Sequence, residues 1–312
     1  MGVDAMAPDE PPFHSIAIVG LGLIGGSIAL AVRERWSSVL ITAVDRAPVL
    51  AHASSSGAID RATNTVADIG PVDLIILAAP VRQNVQLLAQ VMPRLSGGAI
   101  VTDVGGTKRD IVSAAAGLPS GTTSFVGGHP IGGAERGGFG FARPDLFRGK
   151  PWIFTPIPRD PGSGIGDPRA LDPESRIPNP TALDKLFDFV RGLGARPTTM
   201  DAETHDRVMA YVSHLPQLAA SALMDVVGRA AASDGLRLAG RGLTDSTRLA
   251  SSPASVWREV CAANADDIGP ALDALIARLT ELRADLQSGR VVDEIFDDAA
   301  RWRAELMKGR ES

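Results

Sequence analysis

A short apolar, β-branched run, Ile16-Ala-Ile-Val19, leads at once into Gly20-Leu-Gly-Leu-Ile-Gly25-Gly26 and then into an Ala-, Ile- and Leu-rich stretch reaching Trp36. Strand, glycine turn and helix in that order constrain the fold more than any other feature of the chain. The first glycine of a G-x-G-x-x-G turn permits the tight bend, the second lets backbone approach a pyrophosphate, and the third lets helix pack on strand. The unpaired amides at the helix N-terminus then face the phosphates with the positive end of the helix dipole. Asp45 stands 20 residues after Gly25, at the end of a second β-rich run over 39–44, where a carboxylate receives ribose hydroxyls. The residues expected on a dinucleotide here are Gly20, Gly22, Leu23, Ile24 and Gly25, with Asp45 and Arg46. Asp45 would repel the 2′-phosphate of NADP, which favours NAD. Arg46 beside it either pairs with a phosphate or is solvated.

Further strands are expected over 72–79, 99–102, 152–155 and 196–200, and helices over 83–95, 108–116 and 183–193. Alternation at this spacing predicts an α/β fold, a Rossmann-type parallel sheet with right-handed crossovers. The segment 127–140, dense in glycine around His129, reads as a loop. From 201 the texture becomes alanine- and leucine-rich with no strand, which predicts an all-helical second domain. The expected division is a disordered N-terminus over 1–12, a dinucleotide-binding domain over 13–200 with an exposed loop over 157–180, and a helical domain over 201–312.

Composition narrows the function. Lys+Arg total 31 against 36 Asp+Glu, a net charge of −5, so the chain lacks the positive field that a nucleic-acid backbone requires. The stretch 15–32 carries no charge and is long enough to cross a bilayer, but its four glycines fit strand–turn–helix better than a membrane span. The first residues lack the basic region of a signal peptide. With Cys261 as the only cysteine, an internal disulfide and a Cys-built zinc site are excluded, and no other metal site is expected; a reducing cytoplasm fits.

Gly20-Leu-Gly-Leu-Ile-Gly-Gly-Ser27, Leu77-Ala-Ala-Pro80, Asp103-Val-Gly-Gly-Thr-Lys108, Gly128-His-Pro-Ile131 with Glu135, His205-Asp206, Ser213-His-Leu-Pro216 and Thr247-Arg248 followed by Trp257 together resemble the prephenate/arogenate dehydrogenase family. The resemblance implies a Rossmann domain, a helical dimerisation domain and a homodimer. It also implies NAD-dependent oxidative decarboxylation of prephenate, or of its amino analogue arogenate, in tyrosine biosynthesis. It places Ala79, Pro80 and Asp103 on the cofactor, and Gly106, Thr107, Lys108 and Glu135 beside the substrate, although Lys108 also reads as simply solvated. It assigns Arg248 to a substrate carboxylate and His214 to the substrate's side chain. Three positions depart from the family pattern: Gly106 replaces a usual serine, Ala134 a usual Ser or Thr, and Gln217 a frequent second histidine.

The implied chemistry needs a neutral base for the ring hydroxyl as its carbon loses a hydride, and histidine suits that task. His129 is the candidate, from its glycine-rich surroundings and from the resemblance. Arg248 can grip a carboxylate through two parallel hydrogen bonds. His205 and His214 are nine residues apart, so at about 100° per residue a straight helix sends them to opposite faces. Because the resemblance places His214 at the substrate, that geometry leaves His205 a structural role; Trp257, as a large aromatic, is expected to pack in a core or dimer contact. Two other readings stay open: a β-hydroxyacid dehydrogenase type of oxidoreductase, against which 201–290 has no lysine, and a non-catalytic dinucleotide sensor.

Overall fold

The computed structural model describes residues 9–95, 98–118, 124–133, 136–157 and 180–311. Contacts divide the chain into two compact units, Met1–Asn264 and Ala265–Ser312.

The first unit is built on one eight-stranded sheet: β1 (Ser15–Val19), β2 (Leu40–Val44), β3 (Arg61–Thr63), β4 (Leu74–Leu77), β5 (Ile100–Asp103), β6 (Ser124–Pro130), β7 (Pro151–Pro156) and β8 (Arg196–Thr199). Their order is β3-β2-β1-β4-β5-β6-β7-β8. All neighbours run parallel except β6 and β7, which are antiparallel. The five helices α1 (Leu23–Arg35), α2 (Ala47–Ser55), α3 (Val81–Val91), α4 (Arg109–Ala116) and α5 (Pro180–Gly192) alternate with the strands. Successive residues of β1 enter different cores, Ile16 and Ile18 one, Ala17 and Val19 the other. Burial on both faces explains why the central strands are continuously apolar.

The expected α/β architecture is present. β3 and α2 are additions to what the sequence suggested, and the β6–β7 pair makes the sheet mixed. One expectation is corrected: the glycines before His129 lie in a strand, and His129 itself pairs with Ile153 of β7. A Cβ at Gly127 would collide with Thr155 Oγ1, and one at Gly128 would come within 2.6 Å of the Asp103 carbonyl. These glycines serve strand packing rather than loop freedom. Within the segment expected to be disordered, residues 9–12 are described, and Asp9 pairs with Arg35 at 3.3 Å. The loop expected over 157–180 lies outside the described residues except at its two ends.

After β8 the described residues of this unit form helices: α6 (Ala202–Met209), a π-helical turn (Ala210–His214), α7 (Leu215–Leu236, broken at Ala232), α8 (Arg241–Ser246), a 3₁₀ turn (Arg248–Ser251) and α9 (Ala254–Ala263). Pro216 opens α7 without an N–H to give Val212, and the hydrogen-bond ladder slips into the π turn just ahead of it. The second unit is a helix pair, α10 (Ala265–Ala284) and α11 (Arg290–Glu311), in which Arg278 bonds Glu281 and Glu294. No helix among the described residues is long and apolar enough to cross a membrane.

Candidate active site

The chain leaves β1 toward β2 on one side and toward β4 on the other, which opens a crevice beyond the strands' carboxyl ends. Gly20 fills the turn with φ +100°, and a Cβ there would sit 2.7 Å from the Ala78 carbonyl. A Cβ at Gly25 would strike the carbonyl of Gly20, whereas nothing lies within 4 Å of one at Gly22. The first α1 bond runs from Gly26 N to Gly22 O, so the amides of Leu23, Ile24 and Gly25 precede the helical ladder. Asp45 at the end of β2 accepts from Leu21 N (2.7 Å) and Arg46 N (2.6 Å), which fixes its carboxylate beside the turn. The Arg46 side chain is 87% exposed, with its Nε 3.9 Å from Asp45 Oδ1. Ala79 N donates to Asn84 Oδ1, Asn84 Nδ2 donates to Leu77 O, and Pro80 is exposed at this rim. An open face over Gly22, three available amides and a fixed carboxylate fit a dinucleotide.

The solvated alternative for Lys108 is corrected by its burial against Asp103. Asp103 is 1% exposed and accepts from Lys108 Nζ and from the amides of Gly105 and Gly128. Lys108 is wholly buried, and its ammonium also reaches the Gly128 carbonyl at 2.7 Å. Both side chains are buried against each other, and Lys108 is not solvated. The pair instead ties the β5–α4 loop to β6. Thr107, also expected at the substrate, is 2% exposed, with a buried hydroxyl that meets no hydrogen-bond partner among the described residues. Glu135 and Ala134 lie outside the described residues.

His129, near the end of β6, is the focus of a buried polar cluster. Its Nδ1 lies 2.8 Å from His205 Nε2, and His205 Nδ1 lies 2.7 Å from Asp206 Oδ1. A Cβ at Gly106 would lie 3.9 Å from His129 Nε2 and within 4 Å of no other residue beyond its chain neighbours, so the glycine leaves room beside that edge of the ring. Burial, with the nearby His205, Lys108 and His214, holds the His129 pKa well below the ordinary imidazole value. The ring is therefore neutral and able to accept a proton at physiological pH. Burial also pushes His214 down to about 4.

The opposite-face geometry expected for His205 and His214 is overturned. The π turn adds a residue to the helical path between them, rotating the later residues by about 100°. Both rings consequently reach the same cluster: Asn264 Nδ2 contacts His214 Nδ1 at 3.2 Å and the Asp206 carbonyl at 2.8 Å. Asp206 also accepts from the amides of Lys108 and Arg109, which caps α4 and binds it to α6. Trp257 stands edge-on to His214, with ring centroids 6.0 Å apart.

Arg248 lines a cavity of about 740 Å³ together with Gly133, Arg136, Phe141, Arg143, Gln217 and others. Three guanidinium-bearing side chains make it a place for an anion. Its N-terminal wall is the 139–142 turn, which packs on α1: Phe139 abuts Gly26, and Arg143 N donates to Ser27 Oγ. On the other wall, Gln217 Nε2 donates to Leu249 O at 2.7 Å, and its Oε1 accepts from Ser252 Oγ at 3.1 Å. Gln217 thus holds the turn that carries Arg248. The sequence reading missed Asn84, Arg136, Arg143 and Asn264, and saw in Gln217 only a departure from the family. Their spacing carried no motif.

Two family models match the chain. One described as prephenate dehydrogenase, nucleotide-binding domain, covers residues 28–165, and one described as prephenate dehydrogenase, dimerization domain, covers 201–297. A prephenate dehydrogenase of Lactococcus lactis is 31% identical over 94% of this chain and 78% of its own length. A cyclohexadienyl dehydrogenase of Zymomonas mobilis is 30% identical over 94% of this chain and 96% of its own length. The crystal structure of prephenate dehydrogenase from A. aeolicus, in complex with hydroxyphenyl propionate and NAD+, superposes with a TM-score of 0.78 at 27% identity, covering 94% of this chain and 98% of that one.

Proposed function

The chain belongs to the prephenate dehydrogenase family, and on that premise we propose how its own residues carry out the NAD-dependent oxidative decarboxylation of prephenate, or of arogenate. The Gly20–Gly25 turn would hold the pyrophosphate and Asp45 the adenosine ribose, with Ala79 and Pro80 at the rim. NAD held there would supply the acceptor for the hydride on the ring carbon that bears the hydroxyl. His129 Nε2 accepts the hydroxyl proton as that hydride departs. The ring carboxylate then leaves as carbon dioxide, its bonding pair completes the aromatic ring, and His129 returns the proton to the phenolate oxygen. Arg248 grips a substrate carboxylate, and His214 lies against the substrate's side chain. Gly106, lacking a side chain, leaves Nε2 open to the hydroxyl.

The observation that carries this reading is the neutral imidazole of His129 at the carboxyl end of the nucleotide-binding sheet, its Nδ1 held by protein and its Nε2 edge open. The family match sets aside the β-hydroxyacid dehydrogenase and silent-sensor readings. We assign 13–200 to dinucleotide binding and 201–312 to substrate binding and dimerisation, with a homodimer supported by the dimerization-domain match. A cytoplasmic location suits the single cysteine. The test is to mix purified protein with NAD and either prephenate or arogenate, following reduced nicotinamide and the aromatic product. One of the two substrates should give both in equal amounts; no reduction with either would contradict the reading.

A further inference from the structure

A histidine accepts a proton only at the ring nitrogen that does not already carry one, and the hydrogen bonds around His129 decide which nitrogen that is. Asp206 is fully buried and surrounded by donors: Lys108 N at 2.8 Å, Arg109 N at 3.0 Å and Arg109 Nε at 3.3 Å. These donors, with His205, keep its carboxyl below the usual carboxylate range despite burial, so it is an acceptor only. His205 Nδ1, 2.7 Å away, must therefore be the N–H. With a single proton on the His205 ring, its lone pair is on Nε2, and His129 Nδ1, 2.8 Å further on, supplies the hydrogen. That leaves the lone pair of His129 on Nε2, the edge facing Gly106.

A second chain starts from the same residues. Arg109 Nη2 donates to Asn264 Oδ1, which fixes the orientation of that amide. Asn264 Nδ2 therefore donates, to the Asp206 carbonyl and to His214 Nδ1. His214 has its lone pair on Nδ1 and its hydrogen on Nε2, the reverse of His129.

We propose that His205, Asp206, Arg109 and Asn264 form one positioning network that locks the two histidines in opposite tautomers, His129 bare at Nε2 and His214 protonated there. One ring can only accept from the ligand and the other can only donate to it. Substrate bound in reverse would meet an acceptor where it presents a carboxylate. The network also explains how a half-buried imidazole tolerates gaining a proton: the new cation's Nδ1–H points through His205 to the Asp206 carboxylate, and no proton moves along that path. The charged or titratable groups around the two rings are His205 and Asp206 from α6, Arg109 from the start of α4, and Lys108 with Asp103 from the β5–α4 loop and β5.

This inference rests on the proposed role of His129, but its direct test needs no turnover. Protein labelled with ¹⁵N-histidine contains five histidines, and long-range ¹⁵N–¹H spectra report the tautomer of each, with His129→Asn and His214→Asn giving assignments. At neutral pH the ligand-free protein should show His129 protonated at Nδ1 and His214 at Nε2. His205→Leu should leave His129 in mixed tautomers and lower kcat about 10²-fold, whereas His205→Gln, which can offer an oxygen to Nδ1, should recover most of that loss. Asn264→Leu should mix the tautomers of His214 and raise KM more than it lowers kcat. Finding His129 protonated at Nε2, or both tautomers unchanged in His205→Leu and Asn264→Leu, would overturn the proposal even in an active enzyme. The expected tautomers in a protein that turns over neither substrate would sustain the network and reject only the assigned reaction.

Discussion

His205, Asp206, His214 and Asn264 are buried and bonded to one another, whereas Arg136, Arg143 and Arg248 stand exposed around an open cavity. The two regions handle different problems. Moving a proton demands a fixed tautomer and a neutral base, which low exposure and a closed set of partners supply. Capturing an anionic substrate demands reach and long-range attraction, which exposed guanidinium groups supply at little desolvation cost. Substitutions in the buried region should therefore change stability or kcat, except at Asn264, which acts on KM through His214, and those around the cavity should change KM.

The largest stability effect is expected at the buried ion pair. Lys108→Met strands the Asp103 carboxylate in the interior and should cost about 3–5 kcal/mol of unfolding free energy, read by denaturant titration; a cost below about 1 kcal/mol would mean the pair behaves like a surface one. Arg248→Ala removes a charge-assisted carboxylate contact of about 1.5–3 kcal/mol, so KM should rise roughly 10- to 150-fold with kcat less affected. A fall in kcat at constant KM would move Arg248 out of the anion-binding region. Gln217→Leu loosens the turn carrying Arg248 without touching its charge and should raise KM about fivefold, the equivalent of about 1 kcal/mol. Equal loss in Gln217→Leu and Arg248→Ala would show that the turn, not the charge, dominates.

The smallest expected change is with pH. Because the His129 pKa is lowered, its neutral form persists as pH falls through 6.5, and kcat/KM should show no acid limb centred there. The same lowering has a stability cost. Below 6.5 the unfolded chain takes up protons that folded His214 refuses until about 4, so stability should fall across that window on acidification. A kcat/KM limb at 6.5 or above would mean that His129 is not the base described.

The glycine turn and Asp45 were readable because their chemistry is local: a bend, an amide and a carboxylate at fixed spacing. The glycines before His129 were misread because their reason is remote, Thr155 and Asp103 occupying the space a Cβ would take. The straight-helix expectation for His205 and His214 fails at the π turn beside Pro216, a local departure that changes every later angle. Asp103 and Lys108 were visible as charges, but sequence does not show that two charges five residues apart are buried on each other. Asn264 and Gln217 act as neutral amides on groups 58 and 32 residues away, and their spacing carried no motif that marked them as such.

Most depends on His129 as the proton acceptor, and kcat of His129→Asn measured beside its affinity for NAD tests that directly. A fall in kcat of about 10²- to 10⁴-fold with NAD affinity within about twofold of the parent is the predicted result. A kcat within about threefold of the parent, or a loss of NAD affinity as large as the loss of turnover, would contradict it.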